Sequence, residues 1–215
     1  MNAMQTGEFI AAFREAFGPV PELPLLFRYT DEPLRPVEKV GGCFFKVLAQ
    51  ARGGQPVGLN ASNIGCGGGK FYTGFSPMPE FVPQFVSLRE RYKQTPEMVL
   101  EFIAALDLRP APKAWIEFVR VDAAGTFEGA EGVLFFATPD VLAGLVTWAG
   151  FDNDAPDTVA APFGSGCSTV VSQAVRENRN GGRRCFLGLF DPSVRPWVGA
   201  DELCFVIPMS RFAGM

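Results

Sequence analysis

The sequence predicts an α/β or α+β fold in which a mixed β-sheet is flanked by helices. Amphipathic helical segments alternate with short apolar strands, and two of the helices open with the same Thr-Pro-acid signature. GVLFFAT at 132–138 is almost continuously apolar, as expected of a strand buried on both faces. With 215 residues and 47% hydrophobic composition the chain is long enough for one sizeable core, so we expect a single domain spanning 1–215.

The N-terminal part of the chain predicts two helices and two strands. Residues 6–17 repeat phenylalanine at four-residue spacing and stop at a Gly-Pro pair, which predicts an amphipathic helix capped by Thr6. Strands are expected at 23–29 and around 56–59, on either side of a helix at 43–52 that ends at a Gly-Gly pair. These segments begin the alternation that is typical of an α/β chain.

The remainder of the chain continues this alternation. A helical segment is expected within 80–93, and the signatures Thr95-Pro96-Glu97 and Thr138-Pro139-Asp140 each predict the start of a further helix. CSTVVSQAV at 167–175, which follows a glycine-rich turn, predicts another helix. Strands are predicted at 114–121, 132–138, 158–162, 184–190 and 202–208.

The charge and hydropathy of the chain argue against two classes of partner. A formal net charge of -4 and a pI near 5.0 do not suit a nucleic-acid-binding protein, which normally needs a basic patch to displace phosphate counterions. RENRNGGRR at 176–184 is locally basic and predicts a solvated helix end and turn. Since the N-terminus lacks a signal-peptide pattern and no window approaches about 18 apolar residues, we expect a cytoplasmic protein with no membrane segment.

The cysteine and histidine content restricts the kinds of catalytic and metal site that the chain can form. The chain has five cysteines and no histidine, so a Ser-His-Asp triad, a Cys-His pair and a histidine-ligated metal are excluded. In a reducing compartment the cysteines are expected to be free thiols, metal ligands or redox groups. Cys185 and Cys204 lie in apolar strand patterns, which predict buried structural thiols. Cys43, Cys66 and Cys167 lie in glycine-rich loops and are candidates for a shared site.

A weak internal similarity links two of these cysteines. GGCFFKVLAQA at 41–51 and GSGCSTVVSQA at 164–174 share four of eleven residues, and each places glycines and a cysteine at a helix start. If this similarity is a duplication, two related halves at about 20–110 and 111–215 face each other and both helix starts lie near one cleft. The alternative is two unrelated helices that each follow glycines.

Several motifs together resemble a known family. RYTDEPL, the glycine-rich KFY segment at 66–75, LFFATPDVLAGLV, PFGSGC and the late GLFDPSVR and ELCFVIP resemble the uncharacterised ArCR family of archaea and bacteria, over roughly residues 23–210. The resemblance implies a prokaryotic, non-secreted protein and a reduced terminal helix, without an assigned activity. It also implies that the matched positions are family features: Cys43, Cys66, Gly68, Gly69, Gly74, Gly166 and Cys167.

The stretch NIGCGGGKFYTGF at 63–75 is expected to be a loop in which the backbone and Cys66 approach a bound group closely. Helix starts carry free N–H groups and partial positive charge, which favour anions and thiolates. We therefore predict a cleft, lined by this loop and by the helix start at 164–167, that binds a cofactor or small-molecule ligand. The candidate binding residues are Cys43, Cys66, Gly67, Gly68, Gly69, Lys70, Tyr72, Gly164, Ser165, Gly166 and Cys167.

Three kinds of functional site fit these residues. Cys43, Cys66 and Cys167 would hold an iron–sulfur cluster or another thiolate-bound metal, although no C-x-x-C spacing supports it. Alternatively, glycine N–H groups and Lys70 would bind a small anionic metabolite without a metal, with aromatic side chains covering its apolar part. The third alternative is a cysteine-dependent enzyme with Cys66 or Cys167 as nucleophile. Structural thiols without a ligand remain the simplest interpretation of each cysteine alone.

Overall fold

A seven-stranded mixed sheet forms the centre of the structure, a computed structural model that describes residues 5–213. Its strands are β1 (Leu25–Thr30), β2 (Val57–Leu59), β3 (Trp115–Arg120), β4 (Gly132–Ala137), β5 (Val159–Ala160), β6 (Cys185–Gly188) and β7 (Leu203–Pro208). They are arranged in the order β2-β3-β1-β4-β7-β6-β5. The β5–β6 pair is parallel and the other neighbouring pairs are antiparallel. The predicted α/β class with a mixed sheet is confirmed.

Helices connect and cover these strands. They are α1 (Thr6–Phe17), α2 (Phe45–Arg52), α3 (Gly67–Tyr72), α4 (Val82–Gln84), α5 (Pro96–Ala105), α6 (Val121–Ala124), α7 (Pro139–Phe151), α8 (Gln173–Arg179) and α9 (Met209–Phe212). Two π-helical turns, Phe85–Arg89 and Ser168–Ser172, directly follow α4 and directly precede α8, and Arg195–Trp197 form a 3-10 turn. In the described part of the chain no helix has the length and apolar composition needed to cross a membrane.

The helices form one layer on each face of the sheet. All six residues of β4 are buried, so both faces of this strand are covered. On one face α1, α7 and α9 pack on Leu26, Phe135 and Phe205, whereas α2, α3, α5 and α8 pack on the other face. Because successive strand residues point to opposite faces, neighbouring residues of β4 belong to different cores.

The amphipathic helix predicted at 6–17 is present with those bounds, but its predicted cap is wrong. Gln5 precedes the helix, and its peptide N–H donates a hydrogen bond to Glu8 Oε2 at 3.2 Å. The Thr6 hydroxyl instead donates to the Gly125 carbonyl oxygen at 3.1 Å. Thr6 therefore ties α1 to the end of α6, a short helix that carries no periodic pattern in the sequence.

The prediction that 63–75 is a loop is also wrong in its central part, where the backbone forms α3. Cys66 is the N-cap of this helix, and the Gly69 N–H donates to Cys66 Sγ at 3.4 Å. The two aromatic residues that end α3 are buried in the core. Their burial and the cap outweigh the low helix propensity of three consecutive glycines.

Other predicted helix ends differ more modestly from the structure. Thr95 caps α5 as expected, its Oγ1 accepting from the Met98 N–H at 3.3 Å, but the Thr138 side chain makes no cap bond. The helix predicted at 167–175 extends through the second π turn to the end of α8. The terminal helix α9 has four residues, and the last two residues of the chain lie outside the described range, so the predicted reduction of this helix relative to the family stays a prediction.

A buried ion pair joins β3 to β1. Glu117 is fully buried, and its Oε2 lies 2.8 Å from Arg28 Nη2 and 2.9 Å from Arg28 Nε. Its Oε1 accepts the Leu34 N–H at 2.6 Å, which fixes the chain that leaves β1. Removing one partner of such a pair leaves an uncompensated buried charge, which is more costly than the pair is stabilising.

We expect Glu117→Ala to lower the free energy of unfolding by about 3 kcal/mol, because Arg28 and the Leu34 N–H both lose their acceptor. Glu117→Gln retains an acceptor for the Leu34 N–H and should lower the free energy of unfolding by less. Urea denaturation followed by circular dichroism measures both, and the exposed Glu128→Ala serves as the control. Equal stability of Glu117→Ala and this control would show that the ion pair is dispensable.

Candidate functional site

A cavity of about 500 Å³ lies among the helices that cover one face of the sheet. Its wall is formed by the turn before α2, the start of α3, the segment from α4 to α5, the turn before the second π turn, and the segment that follows β6. Most of the lining side chains are apolar or aromatic: Phe45, Tyr72, Phe81, Val82, Phe85, Val86, Tyr92, Val99, Phe102, Phe163, Val194 and Trp197. Five segments that are distant in sequence therefore build one concave site.

Nine of the eleven residues predicted to bind a ligand line this cavity. They are Cys43, Cys66, Gly67, Gly68, Tyr72, Gly164, Ser165, Gly166 and Cys167. Gly69 and Lys70 are not part of the lining. Gly69 is buried below the wall, where a Cβ would lie 3.2 Å from both Ile64 Cγ2 and Phe44 Cδ1. Its lack of a side chain therefore serves helix packing.

The three cysteines of the cavity are held in different ways. Cys66 caps α3, Cys43 precedes α2 and is half-buried, and Cys167 is buried with its Sγ 3.5 Å from Ser165 Oγ. Burial raises the pKa of the Cys43 thiol to about 11. Burial also raises the pKa of Cys167 well above its ordinary value, and charge on Cys43 or Cys66 would raise it further. Both thiols are therefore protonated at neutral pH.

The geometry of the cysteines gives no support to the predicted metal site. Within residues 5–213, no group of three or more His, Cys, Asp or Glu side chains has an arrangement that would hold a metal ion. Cys43, Cys66 and Cys167 line the same cavity without forming such a group. Cys185 and Cys204 are fully buried in β6 and β7, as the apolar pattern of those strands predicts.

Asp191 is a buried acidic residue in the cavity wall that sequence reasoning did not single out. It is only 1% exposed, and the Ser193 hydroxyl donates to its Oδ2 at 2.5 Å. Its Oδ1 is buried and has no hydrogen-bond partner among the described residues. Burial raises the pKa of this carboxyl above its ordinary value. A signal was present in the sequence, because GLFDPSVR places an acid and a proline directly after an apolar strand.

An unusual backbone conformation brings Asp191 to the cavity. β6 ends at Gly188, and the next residue, Leu189, is fully buried with a φ of 72°. Side chains other than glycine rarely adopt this left-handed conformation, which costs on the order of 1–3 kcal/mol. A Cβ on Gly166 would lie 3.1 Å from Leu189 Cδ2 and 2.9 Å from Phe45 Cε2. Glycine at 166 therefore permits the close contact that keeps this turn in place.

The segment from α4 to Lys93 covers the opposite side of the cavity. Its Tyr92 hydroxyl accepts a hydrogen bond from the Ser193 N–H at 3.2 Å, which joins it to the turn that carries Asp191. Lys93 Nζ lies 5.4 Å from the ring centroid of Phe102 and 5.9 Å from that of Phe163. Burial raises the pKa of Glu90 above its ordinary value, and the charge of Asp191 contributes to this shift.

The charged side chains in the cavity wall are Glu90, Lys93 and Asp191. Arg195 lies nearby, but its guanidinium donates to the carbonyl oxygens of Leu189, Gly199, Ala200 and Glu202. The N–H groups of Arg195 are therefore occupied by backbone carbonyls on either side of its turn rather than exposed. Lys70, predicted to contact an anionic ligand, is not in the lining.

The family model described as Uncharacterised ArCR matches residues 24–215, and the chain belongs to this family. The match covers nearly the whole chain and confirms the resemblance carried by the cysteine and glycine motifs. No curated protein and no solved structure matches the chain significantly.

Two of the cavity glycines differ in the space that surrounds them. A Cβ on Gly164 would lie 2.5 Å from Phe102 Cζ and 2.6 Å from Ser168 Oγ, whereas the nearest atom to a Cβ on Gly68 would be Cys66 Sγ at 3.8 Å. We expect Gly164→Ala to lower the free energy of unfolding by about 1–3 kcal/mol. Gly68→Ala should not lower it, and should raise it by up to about 1 kcal/mol, because Gly68 lies in α3 and alanine has the higher helix propensity. Parallel urea titrations compare the two, and equal losses would refute the steric explanation.

Raised thiol pKa values predict slow alkylation of the folded protein. At pH 8 we expect iodoacetamide to modify Cys43 at least about 100-fold more slowly than free cysteine, because a thiol with a pKa of about 11 is almost entirely protonated. The rate should rise about tenfold from pH 8 to pH 9, since each pH unit below the pKa changes the thiolate fraction tenfold. Peptide mass spectrometry measures the rates, with urea-unfolded protein as the control. Modification as fast as that of free cysteine would contradict the assignment.

Proposed function

We propose that this member of the Uncharacterised ArCR family binds a small, largely apolar molecule in the cavity, and that Asp191 holds the polar end of that molecule. One observation carries the proposal: a carboxyl group only 1% exposed lies in the cavity wall with one oxygen unpartnered among the described residues. Buried polar atoms normally have hydrogen-bond partners, and an unpaired one costs roughly 1–3 kcal/mol. A bound donor at Oδ1 would remove that cost.

The size and composition of the cavity support a small organic ligand. Sites for such molecules typically have volumes of about 300–1,000 Å³ and combine apolar walls with a few polar groups. A volume of about 500 Å³ lies within this range. Aromatic rings contribute to the wall from α2, α3, the first π turn, α5 and the 3-10 turn. Such rings favour a flat or aromatic ligand, because offset and edge contacts between rings are stabilising.

The cysteines fit this function as wall residues. A protonated thiol is weakly polar and behaves as a small apolar side chain, so Cys43 and Cys167 extend the apolar surface of the cavity. The same protonation disfavours Cys167 as the nucleophile of a cysteine-dependent enzyme, because the thiolate is the nucleophilic form. The anionic metabolite is also less well supported, because Lys93 is accompanied by two acidic residues in the lining.

Partly filling the cavity is expected to weaken binding without unfolding the chain. Val86 and Leu88 belong to the same π turn, but Val86 lines the cavity whereas Leu88 is 63% exposed. We expect the wild-type chain to bind 1-naphthalenemethanol, a neutral fluorescent aromatic alcohol, with one site. Val86→Phe should weaken this binding at least about tenfold by occupying part of the volume.

Leu88→Phe is the matched control, because it makes a similar substitution on the outer side of the same turn. Binding is followed by fluorescence titration and by the shift of the thermal unfolding midpoint, which increases when a ligand binds the folded state. An equal effect of both substitutions, or an absence of saturable binding to the wild-type chain at millimolar probe, would overturn the proposal.

A further inference from the structure

We infer that the cavity selects ligands whose polar end is an organic cation, such as an ammonium group attached to an aromatic body. This inference rests on the proposed function and assigns the chemical class of the ligand. It departs from the anionic ligand predicted from the sequence, and the charges and rings of the cavity wall support it.

The charge of the wall is the first support. Glu90 and Asp191 line the cavity together with a single basic residue, Lys93. Neither acid takes part in an ion pair within the described residues. The nearby Arg195 does not provide one, since its N–H groups are directed at four backbone carbonyls. A buried carboxylate without a cationic partner is costly, and a bound cation would supply that partner.

The unpartnered oxygen of Asp191 is the second support. Ser193 satisfies Oδ2, and the backbone N–H groups of Asp191 and Gly166 also stabilise the carboxyl, but Oδ1 makes no hydrogen bond of normal geometry among residues 5–213. An ammonium group offers up to three N–H donors and a positive charge, so it would satisfy this oxygen and neutralise the carboxylate together. A carboxylate or phosphate ligand would instead place like charges side by side.

The aromatic wall is the third support, because ring faces attract cations. Lys93 Nζ already lies within 6 Å of two ring centroids of the wall, those of Phe102 and Phe163. Tyr72, Tyr92 and Trp197 add further rings to the same lining. Recognition of an organic ammonium ion by several rings and a carboxylate uses the same interactions.

The inference makes affinity depend on pH in a defined direction. The ionised form of Asp191 binds a cation, and burial raises the pKa of both Asp191 and Glu90, so affinity for a permanent or protonated amine should increase as the pH rises from 4 towards 8. The titratable and charged groups that line the cavity with Asp191 are Cys43, Cys66, Tyr72, Glu90, Tyr92, Lys93 and Cys167, and Arg195 lies nearby. Burial raises the pKa of the Cys43 and Cys167 thiols and of the Tyr92 phenol, so these groups stay protonated across this interval and do not oppose the titration of the two carboxyl groups.

The test compares three probes that share one aromatic body. They are 1-naphthylmethylamine, 1-naphthalenemethanol and 1-naphthoate, which present a cationic, a neutral and an anionic end. In calorimetric titrations of the full chain at pH 7, we expect the amine to bind at least about tenfold more tightly than the alcohol and the carboxylate to bind most weakly. The affinity for the amine should rise with pH, and that for the alcohol should not.

Two variants test which residues cause the preference for the amine. Asp191→Asn, which keeps the size of the side chain, should abolish the difference in affinity between the amine and the alcohol, while the alcohol still binds. Glu90→Gln should reduce that advantage in affinity of the amine. Glu80→Gln, two residues before α4 and outside the lining, should leave it unchanged.

Each failure has a distinct meaning. An amine that binds no tighter than the alcohol, or not at all, overturns the inference, as does an advantage that survives in both Asp191→Asn and Glu90→Gln. If the alcohol still binds saturably in those cases, the proposed function stands. If the alcohol does not bind, or if Val86→Phe does not weaken its binding, the proposed function is overturned as well.

Discussion

The complete burial of β4 is the constraint on which the rest of the structure depends. Six consecutive buried residues in the middle of the sheet require a layer of side chains on each face, so the helices are divided between two separate cores. One layer, formed by α1, α7 and α9, packs closely on its face of the sheet. The cavity lies in the other layer, where several short helices and turns meet and where short elements leave more irregular space between them.

The cavity acquires its polar group through local strain. Leu189 adopts a left-handed conformation directly after β6 and is held there by contacts around Gly166 and Phe45. This turn moves the chain away from the sheet and sets Asp191 in the wall, where Ser193 and Tyr92 connect it to the covering segment. Strained residues persist where the surrounding structure holds them, and they concentrate at binding sites. The polar end of the site is therefore supported from both sides by packing.

Elements with strong local patterns could be predicted from the sequence. The phenylalanine spacing of α1, the Thr95 cap and the apolar run of β4 all indicate their structures locally. The short helices α3, α6 and α9 could not be predicted, because their stability comes from tertiary contacts rather than propensity. The role of Asp191 in the cavity wall could not be predicted for a related reason. Its burial depends on Leu189, Ser193 and a covering segment about 100 residues earlier in the chain.

The two π-helical turns also bear on how the chain tolerates changes in length. Each i to i+5 hydrogen bond encloses one residue more than an α-helical bond, so each turn amounts to a single-residue insertion within a helix. Both turns adjoin the cavity, one through Val86 and the other through Cys167. Loss of one residue from either turn would restore α-helical spacing while preserving the faces on each side of it. A one-residue deletion at either turn would therefore reshape the cavity wall and leave the sheet and its cores in register.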